Sequence, residues 1–453
     1  MITLLRYQEI TPQSCLSGLM SELNVILNWM LGIFCLGIAA SADAADWPHW
    51  RGPTRDAVSI EHSGWDGTNW AAKFAWETKT EAGASAPIVA DGRVYSLGWA
   101  HEPSPHDVVV CLEAKTGRQI WSQQYECPEY GRRSEGDKGL YSGPSASPTF
   151  DSKTGFIYTL STDGDLNCWD SLNGGKLVWS VNFYEEYEVP QRPLVGRRRL
   201  RDYGYTASPL IHGDWIIAEV GDDEGNLFAF DKQTGQRVWT SASKDPAGHT
   251  GGLVPITVQN IPCVAVLTIH NLLVARLDAG HEGETLAEYP WETDFANSIA
   301  TPAVLGNSIV ITSEYNQYSV CRVDFSMSGA KEVWKQPFAS GVCSPVIHKG
   351  HIYWCWRGLY CLDFETGKPL WRGGIFGDTA SCLVTSDDRL IVWADRGDLV
   401  LTETAVRSPK TYTTLARKKA LSETDVWPHI VLSDGRLYCK DRSGNLKCFD
   451  LSN

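Results

Sequence analysis

Cys111-Leu-Glu-Ala-Lys-Thr-Gly117-Arg-Gln-Ile-Trp121 decides the fold, because the chain repeats it. Ala229-Phe-Asp-Lys-Gln-Thr-Gly235-Gln-Arg-Val-Trp239 and Cys361-Leu-Asp-Phe-Glu-Thr-Gly367-Lys-Pro-Leu-Trp371 share the pattern small-x-acid-x-x-Thr-Gly-x-x-x-Trp. Residues 168–179 repeat it with one residue added, and the C-terminus stops inside a further copy at Cys448-Phe449-Asp450. Self-similarity at a period of tens of residues is the mark of stacked supersecondary units. Upstream of each copy lies a Ser/Pro-marked stretch, a polar turn and a β-branched strand: Ala84-Ser-Ala-Pro87 with Asp91-Gly92, Thr206-Ala-Ser-Pro209 with His212-Gly213, Cys343-Ser-Pro345 with Lys349-Gly350. Short alternating runs separated by such turns read as antiparallel hairpins.

One repeat therefore holds four strands. Strand A follows the Ser-Pro mark, strand B carries Val-Tyr, strand C ends at the acid and strand D carries the Trp. Four-stranded units repeated in this way make a β-propeller. Strand D is marked by Trp76, Trp121, Trp179, Trp239, Trp291, Trp334 and Trp371, with an eighth strand near 411–416 that has no Trp. The expected fold is all-β, an eight-bladed propeller of antiparallel blades. Trp76 has no strands A–C before it and nothing follows Asp450 as strand D. The strand at 74–78 is thus expected to complete the last blade beside 436–450, which removes the free sheet edges. The organisation expected is a leader at 1–44, an extension at 45–69 and the propeller at 70–453.

The repeated residues have a packing role. Gly supplies the positive φ of the C–D turn, the acid accepts turn N–H groups, and the Trp brings a large apolar face and one donor to the contact between blades. Cys111, Cys168, Cys361 and Cys448 fill the small slot held by Ala229. They are expected as buried free thiols, because equivalent slots of different blades do not meet.

Composition agrees with this picture. The 453 residues include 19 Trp and 41 Gly but 4 Met. The net charge of −14 argues against general nucleic-acid binding. Within residues 1–44, the apolar run MLGIFCLGIAA (30–40) followed by Ala42-Asp43-Ala44 reads as a secretory signal cleaved before Ala45. Arg6 is its one basic residue, and Met20 is an alternative start. The competing reading is an uncleaved anchor, short for a span. Phe34 before Cys35 does not suit a lipoprotein signal. Export places the protein in the periplasm or outside the cell, with membrane association only through that leader or a partner.

These repeats resemble the pyrroloquinoline-quinone-like (PQQ-like) repeat family over about 47–451. The docking motif is shared by quinoprotein dehydrogenases and by the non-enzymatic, BamB-like outer-membrane assembly propellers. Trp47-Pro-His-Trp-Arg-Gly-Pro53 and Tyr289-Pro-Trp-Glu-Thr-Asp294 look like a secreted bacterial subgroup. The dehydrogenase side of the resemblance implies a vicinal Cys-Cys pair beside the cofactor, and the chain has none. It also implies calcium ligands and a catalytic Asp that find no residue-by-residue match.

In a propeller the D–A connections open onto the axial funnel. Just before each strand A stand Tyr141, Tyr205, His249, Asn297, Asp378, and Trp427 with His429. Their mixture of aromatic, amide and acid groups suits a ligand pocket; a solvated rim is the alternative. The longest connection, 182–205, sets Glu185, Glu186 and Glu188 against Arg192, Arg197, Arg198, Arg199 and Arg201. That basic run is a candidate grip for an anion or an acidic partner, unless the three Glu merely neutralise it. Asp163-Gly-Asp165, 221–226 and Asp395-Arg-Gly-Asp398 resemble pieces of calcium loops but fall where B–C turns belong. No catalytic Ser, zinc or phosphate-loop motif is present. The leading reading is a binding or scaffold module of the cell envelope, with an envelope protein or a small anionic or polyol ligand as partner. The alternative is a quinoprotein-type alcohol or polyol dehydrogenase, which would require PQQ with calcium.

Overall fold

The computed structural model describes residues 45–127, 143–187, 189, 204–221, 223–294 and 297–452. It forms eight four-stranded antiparallel sheets, each in the order A-B-C-D. Blades 1 to 7 span 88–126, 149–182, 210–240, 254–290, 303–336, 346–373 and 380–418. Blade 8 takes strands A to C from 431–450 and strand D from Lys73–Lys79, which pairs with Asn445–Asp450. The closure expected from the sequence is thus present, with Trp76 opposite Cys448. No helix among the described residues is long and apolar enough to cross a membrane. The leader, Tyr141 and the arginine run 197–201 lie outside the described residues.

Register explains the repeat. Cys111 faces Trp121, Cys168 faces Trp179, Ala229 faces Trp239 and Cys361 faces Trp371 across strands C and D. Each indole then lies on the next blade. Trp76, Trp121, Trp179 and Trp334 donate Nε1–H to the carbonyls of Ala114, Ser171, Lys232 and Phe364, at 3.1, 3.2, 3.2 and 3.0 Å. Each acceptor immediately follows the motif's acid. The Gly of the same turn forms the platform. Gly117 has φ 71°, and a Cβ there would stand 2.5 Å from the Trp76 ring. The acid closes the turn: the hydroxyl and N–H of Thr366 bond Asp363 and hold its carboxyl below the usual range.

Two corrections follow from the register. Trp291 is not the docking residue of blade 4. The slot opposite Val274 holds Ala287, and Trp291 lies just beyond the strand, fully buried beneath the Lys335 ammonium. Blade 7 likewise has Ala416 in that slot. Both blades face a neighbour that lacks the acid-to-Gly loop. Blade 5 joins its strands C and D by the tight turn Ser326–Gly329, and in blade 8 the chain termini break that connection. The second correction concerns Trp239, which is only half-buried and whose Nε1 has no partner among the described residues.

The largest departure from expectation is residues 47–63. They lie along the axis and touch every blade. Trp47 bridges Val89 of blade 1, and the Pro48 carbonyl accepts from Phe150 of blade 2. Arg55 donates to the carbonyls of Pro209 and Leu253 at the mouths of blades 3 and 4. Arg51 serves Pro302 and Pro345 at blades 5 and 6. Ala57 and Ser59 bond both backbone groups of Val384 in blade 7, and the Glu61 carboxylate accepts from Asp434 and Gly435 in blade 8. Both arginines are essentially inaccessible to water. The Ser-Pro mark acquires its meaning here. Its Pro carbonyl faces the plug, while its Ser hydroxyl accepts an N–H from the preceding blade. Ser147 receives Ala86, Ser208 receives Ser147, and Ser344 receives Thr301, each at 2.9 Å.

Candidate functional site

The plug closes the axial channel and leaves a funnel above it. A cavity of about 110 Å³ sits on Trp50, whose Nε1–H donates to Thr301 at 3.0 Å. All eight blades contribute, seven through the segment preceding strand A, among them Ser145, Thr206, Thr250 and Ser344, and blade 7 through Ala380 and Ser381 at the start of strand A itself. His249, Asn297, Trp427 and His429, expected from the sequence, line this cavity together.

His429 packs edge-on against Trp50, with ring centroids 5.4 Å apart. Its Nδ1 lies 2.7 Å from the Ile430 carbonyl, which can only accept, so Nδ1 carries the proton. Burial, reinforced by the charge of Arg51, pulls its pKa down to about 3. The ring is therefore neutral, the Cys382 backbone also lies within reach of it, and the nitrogen left without the proton is Nε2. That atom is buried and has no partner among the described residues. The hydroxyl of Thr250 is in the same position. On the opposite wall His249 Nδ1 and Asn297 Oδ1 lie 3.1 Å apart. Two buried polar atoms without partners beside a cavity are what a hydrogen-bonding occupant would satisfy.

The other expected residues are placed differently. Tyr205 does not face the funnel. Its ring packs on Phe183 and Tyr184, and its hydroxyl donates to the Val220 carbonyl at 2.9 Å. Asp378 is absent from the floor. It lines an outer cleft of about 420 Å³ that shares Tyr315, Val342 and Trp427 with the inner cavity, and it pairs with Arg357 at 2.5 Å. Glu314, Asp395 and Asp425 line that cleft too, with Arg396 the one cation in its wall among the described residues. Burial raises the carboxyls of Glu314 and Asp395. The mouth of the funnel at blades 5–8 is thus acidic, while its floor is polar and, among the described residues, without a carboxylate. The calcium-like fragments at 163–165 and 395–398 form B–C turns. Trp50 and the hydroxyl ring were not singled out from the sequence, although the aperiodic Trp-Arg-Gly-Pro segment was the available signal for the former.

A family model described as "Outer membrane protein assembly factor BamB" matches residues 105–372. The quinohemoprotein alcohol dehydrogenase ADH-IIG of Pseudomonas putida is 27% identical over 186 residues, 40% of this chain and 22% of that protein. Its counterpart from Comamonas testosteroni is 28% identical over 219 residues, 46% of this chain and 27% of that protein. The match thus spans about a quarter of the length of these curated relatives. Among solved structures, BamB from Moraxella catarrhalis superposes with a TM-score of 0.56 at 13% identity, covering 84% of this chain and 99% of that one. The Comamonas testosteroni quinohemoprotein alcohol dehydrogenase gives 0.62 at 14% identity, over 90% and 81%. At such identity the structural likeness speaks for the fold. The family model, which covers more than half of the sequence, carries the assignment: the chain belongs to the PQQ-like repeat family described by the outer membrane protein assembly factor BamB.

Proposed function

We propose that this protein is an exported binding propeller of the cell envelope whose plugged funnel holds a small, uncharged, hydroxyl-bearing ligand. The observation that carries this reading is the floor itself: an indole face beside a neutral imidazole Nε2 and a Thr hydroxyl, both buried without partners. A ligand hydroxyl can donate to Nε2 and exchange hydrogen bonds with Thr250, while its apolar face lies on Trp50. An anion is disfavoured by the acidic mouth. The basic run Arg197, Arg198, Arg199 and Arg201 stands as the candidate contact for an acidic envelope protein.

The second reading, a quinoprotein-type alcohol or polyol oxidoreductase, is favoured by the names of the curated relatives. PQQ carries three carboxylates and works with calcium. Among the described residues Arg442 is the one cation lining the floor, and it sits 3.6 Å from Asp425. Arg51 and Arg55 lie below, spent on strand carbonyls. No carboxylate lines the floor, and no three His, Cys, Asp or Glu converge as a metal site among the described residues. The described residues therefore do not fit PQQ with calcium.

Titration of the chain with simple sugars and polyols, and separately with PQQ plus calcium, tests the choice through the fluorescence of Trp50 and Trp427. Saturable polyol binding is expected, weakened about tenfold by His429→Phe or Thr250→Val. Calcium-dependent saturation by PQQ without any polyol response would overturn the reading in favour of the second.

A further inference from the structure

Most cysteines of the described chain sit singly in blade interiors. Cys343 and Cys382 do not. Their sulfurs are 3.9 Å apart, the one pair of sulfurs in mutual contact among the described residues. They belong to different blades: Cys343 precedes strand A of blade 6, and Cys382 lies within strand A of blade 7, Ala380–Val384. Both are buried. Their neighbours Val342, Ser344 and Ser381 line the funnel floor.

We propose that Cys343 and Cys382 form a disulfide that staples blade 6 to blade 7 beneath the wall of the funnel. The sulfurs need to close from 3.9 Å to about 2 Å to bond. In the folded state the two thiols differ in their surroundings. The Cys355 N–H donates to Cys343 Sγ at 3.4 Å, and the buried Arg51 guanidinium acts on both thiols. Hydrogen bonding from Cys382 and from that N–H holds the Cys343 thiol below its usual range, while Cys382 is pushed up. Before the blades close these contacts are absent, so either cysteine can attack first, Cys343 for example. It displaces one thiolate from an exchangeable disulfide such as glutathione disulfide. Cys382 then gives up its proton and attacks Cys343 Sγ, expelling the second glutathione thiolate. Two protein thiols lose two electrons and two protons, and one glutathione disulfide becomes two thiols. Because both sulfurs are buried, the exchange belongs to folding, before blades 6 and 7 close.

The bond suits an oxidising compartment, yet its test does not depend on export. The full chain is refolded in a glutathione redox buffer, alkylated under denaturant without reductant, digested and mapped by mass. The expected result is a Cys343–Cys382 peptide in most molecules, with Cys111, Cys168, Cys361 and Cys448 alkylated. Cys343→Ser and Cys382→Ser abolish the crosslink, and Cys355→Ser retains it. In reducing buffer the wild-type denaturant midpoint falls, while that of Cys382→Ser does not move. Alkylation of Cys343 and Cys382 to the same extent as Cys111, or pairing of Cys343 with Cys355, overturns the proposal.

Discussion

The perimeter and the axis of this propeller are held by opposite means. At the perimeter one contact recurs: an indole lies on a glycine, and its N–H reaches the carbonyl after an acid. On the axis a single aperiodic segment makes eight different contacts, using two buried arginines, a carboxylate and bare backbone. Equivalent blades can share a rule because each meets its neighbour in the same geometry. A chain on the symmetry axis meets eight blades from one place, so no contact can repeat another, and Arg51 and Arg55 each bridge two blades. Blades 4 and 7, whose neighbours lack the acid-to-Gly loop, show the same logic from the other side, since neither has a Trp in the docking slot.

Several substitutions probe this contrast. Arg51→Ala with Arg55→Ala should be the most damaging. Carbonyls of Pro302, Pro345 and Leu253 lose their donors inside the channel, at about 1–3 kcal/mol each. A loss of about 5 kcal/mol or more by denaturant unfolding is expected. A smaller effect than that of any single perimeter Trp would mean that the plug merely fills space. Trp76→Ala comes next, at about 3–5 kcal/mol for a buried, hydrogen-bonded aromatic. Trp239→Ala should cost about 1–2 kcal/mol, because its ring is half-exposed and its N–H is unpartnered. Equal losses at the two sites would show that the carbonyl bond adds nothing. Gly117→Ala drives a Cβ into the Trp76 ring, whereas at Gly213, also at positive φ, nothing lies within 4 Å. The second change should cost about 1 kcal/mol and the first clearly more; similar unfolding midpoints would remove the platform argument.

A pH dependence is the subtlest difference. Lys440, on the seam between blades 8 and 1, donates to the Ser85 and Leu97 carbonyls. Burial lowers its pKa to about 7 from 10.5. Between these values the unfolded chain binds the extra proton, so this group makes stability rise as pH increases from about 7 to about 10.5. Below that window it adds no slope. Lys440→Met should flatten the difference between midpoints measured at pH 7 and pH 9.5, and Trp76→Ala should leave that difference intact. An unchanged slope in Lys440→Met would place the titration elsewhere.

Much of the site was legible because strand A is innermost in any propeller. His249, Asn297, Trp427 and His429 occupy positions that the repeat alone assigns to the funnel, and they share one cavity. Tyr205 stands at a comparable position, five residues before its strand, as His249 does, yet it turns into the core. The one-turn helix Phe183–Glu186 offers it an aromatic pocket that blade 4 lacks. Asp378 is drawn to the rim by Arg357, an ion pair between residues 21 apart that no local pattern announces.

The repeat pattern by itself determined the eight blades, their four-strand order, the shared slot of Cys111, Cys168, Cys361 and Cys448, and the closure by the N-terminal strand. These follow from local periodicity, which every copy restates. Only the tertiary structure decided that residues 47–63 plug the channel, that Trp50 becomes the floor of the funnel, and that Cys343 meets Cys382. Each of these is made once, between segments with no periodic relation to one another. Ring closure is what brings them together: it gathers eight strands A around an axis that only one stretch of chain can occupy.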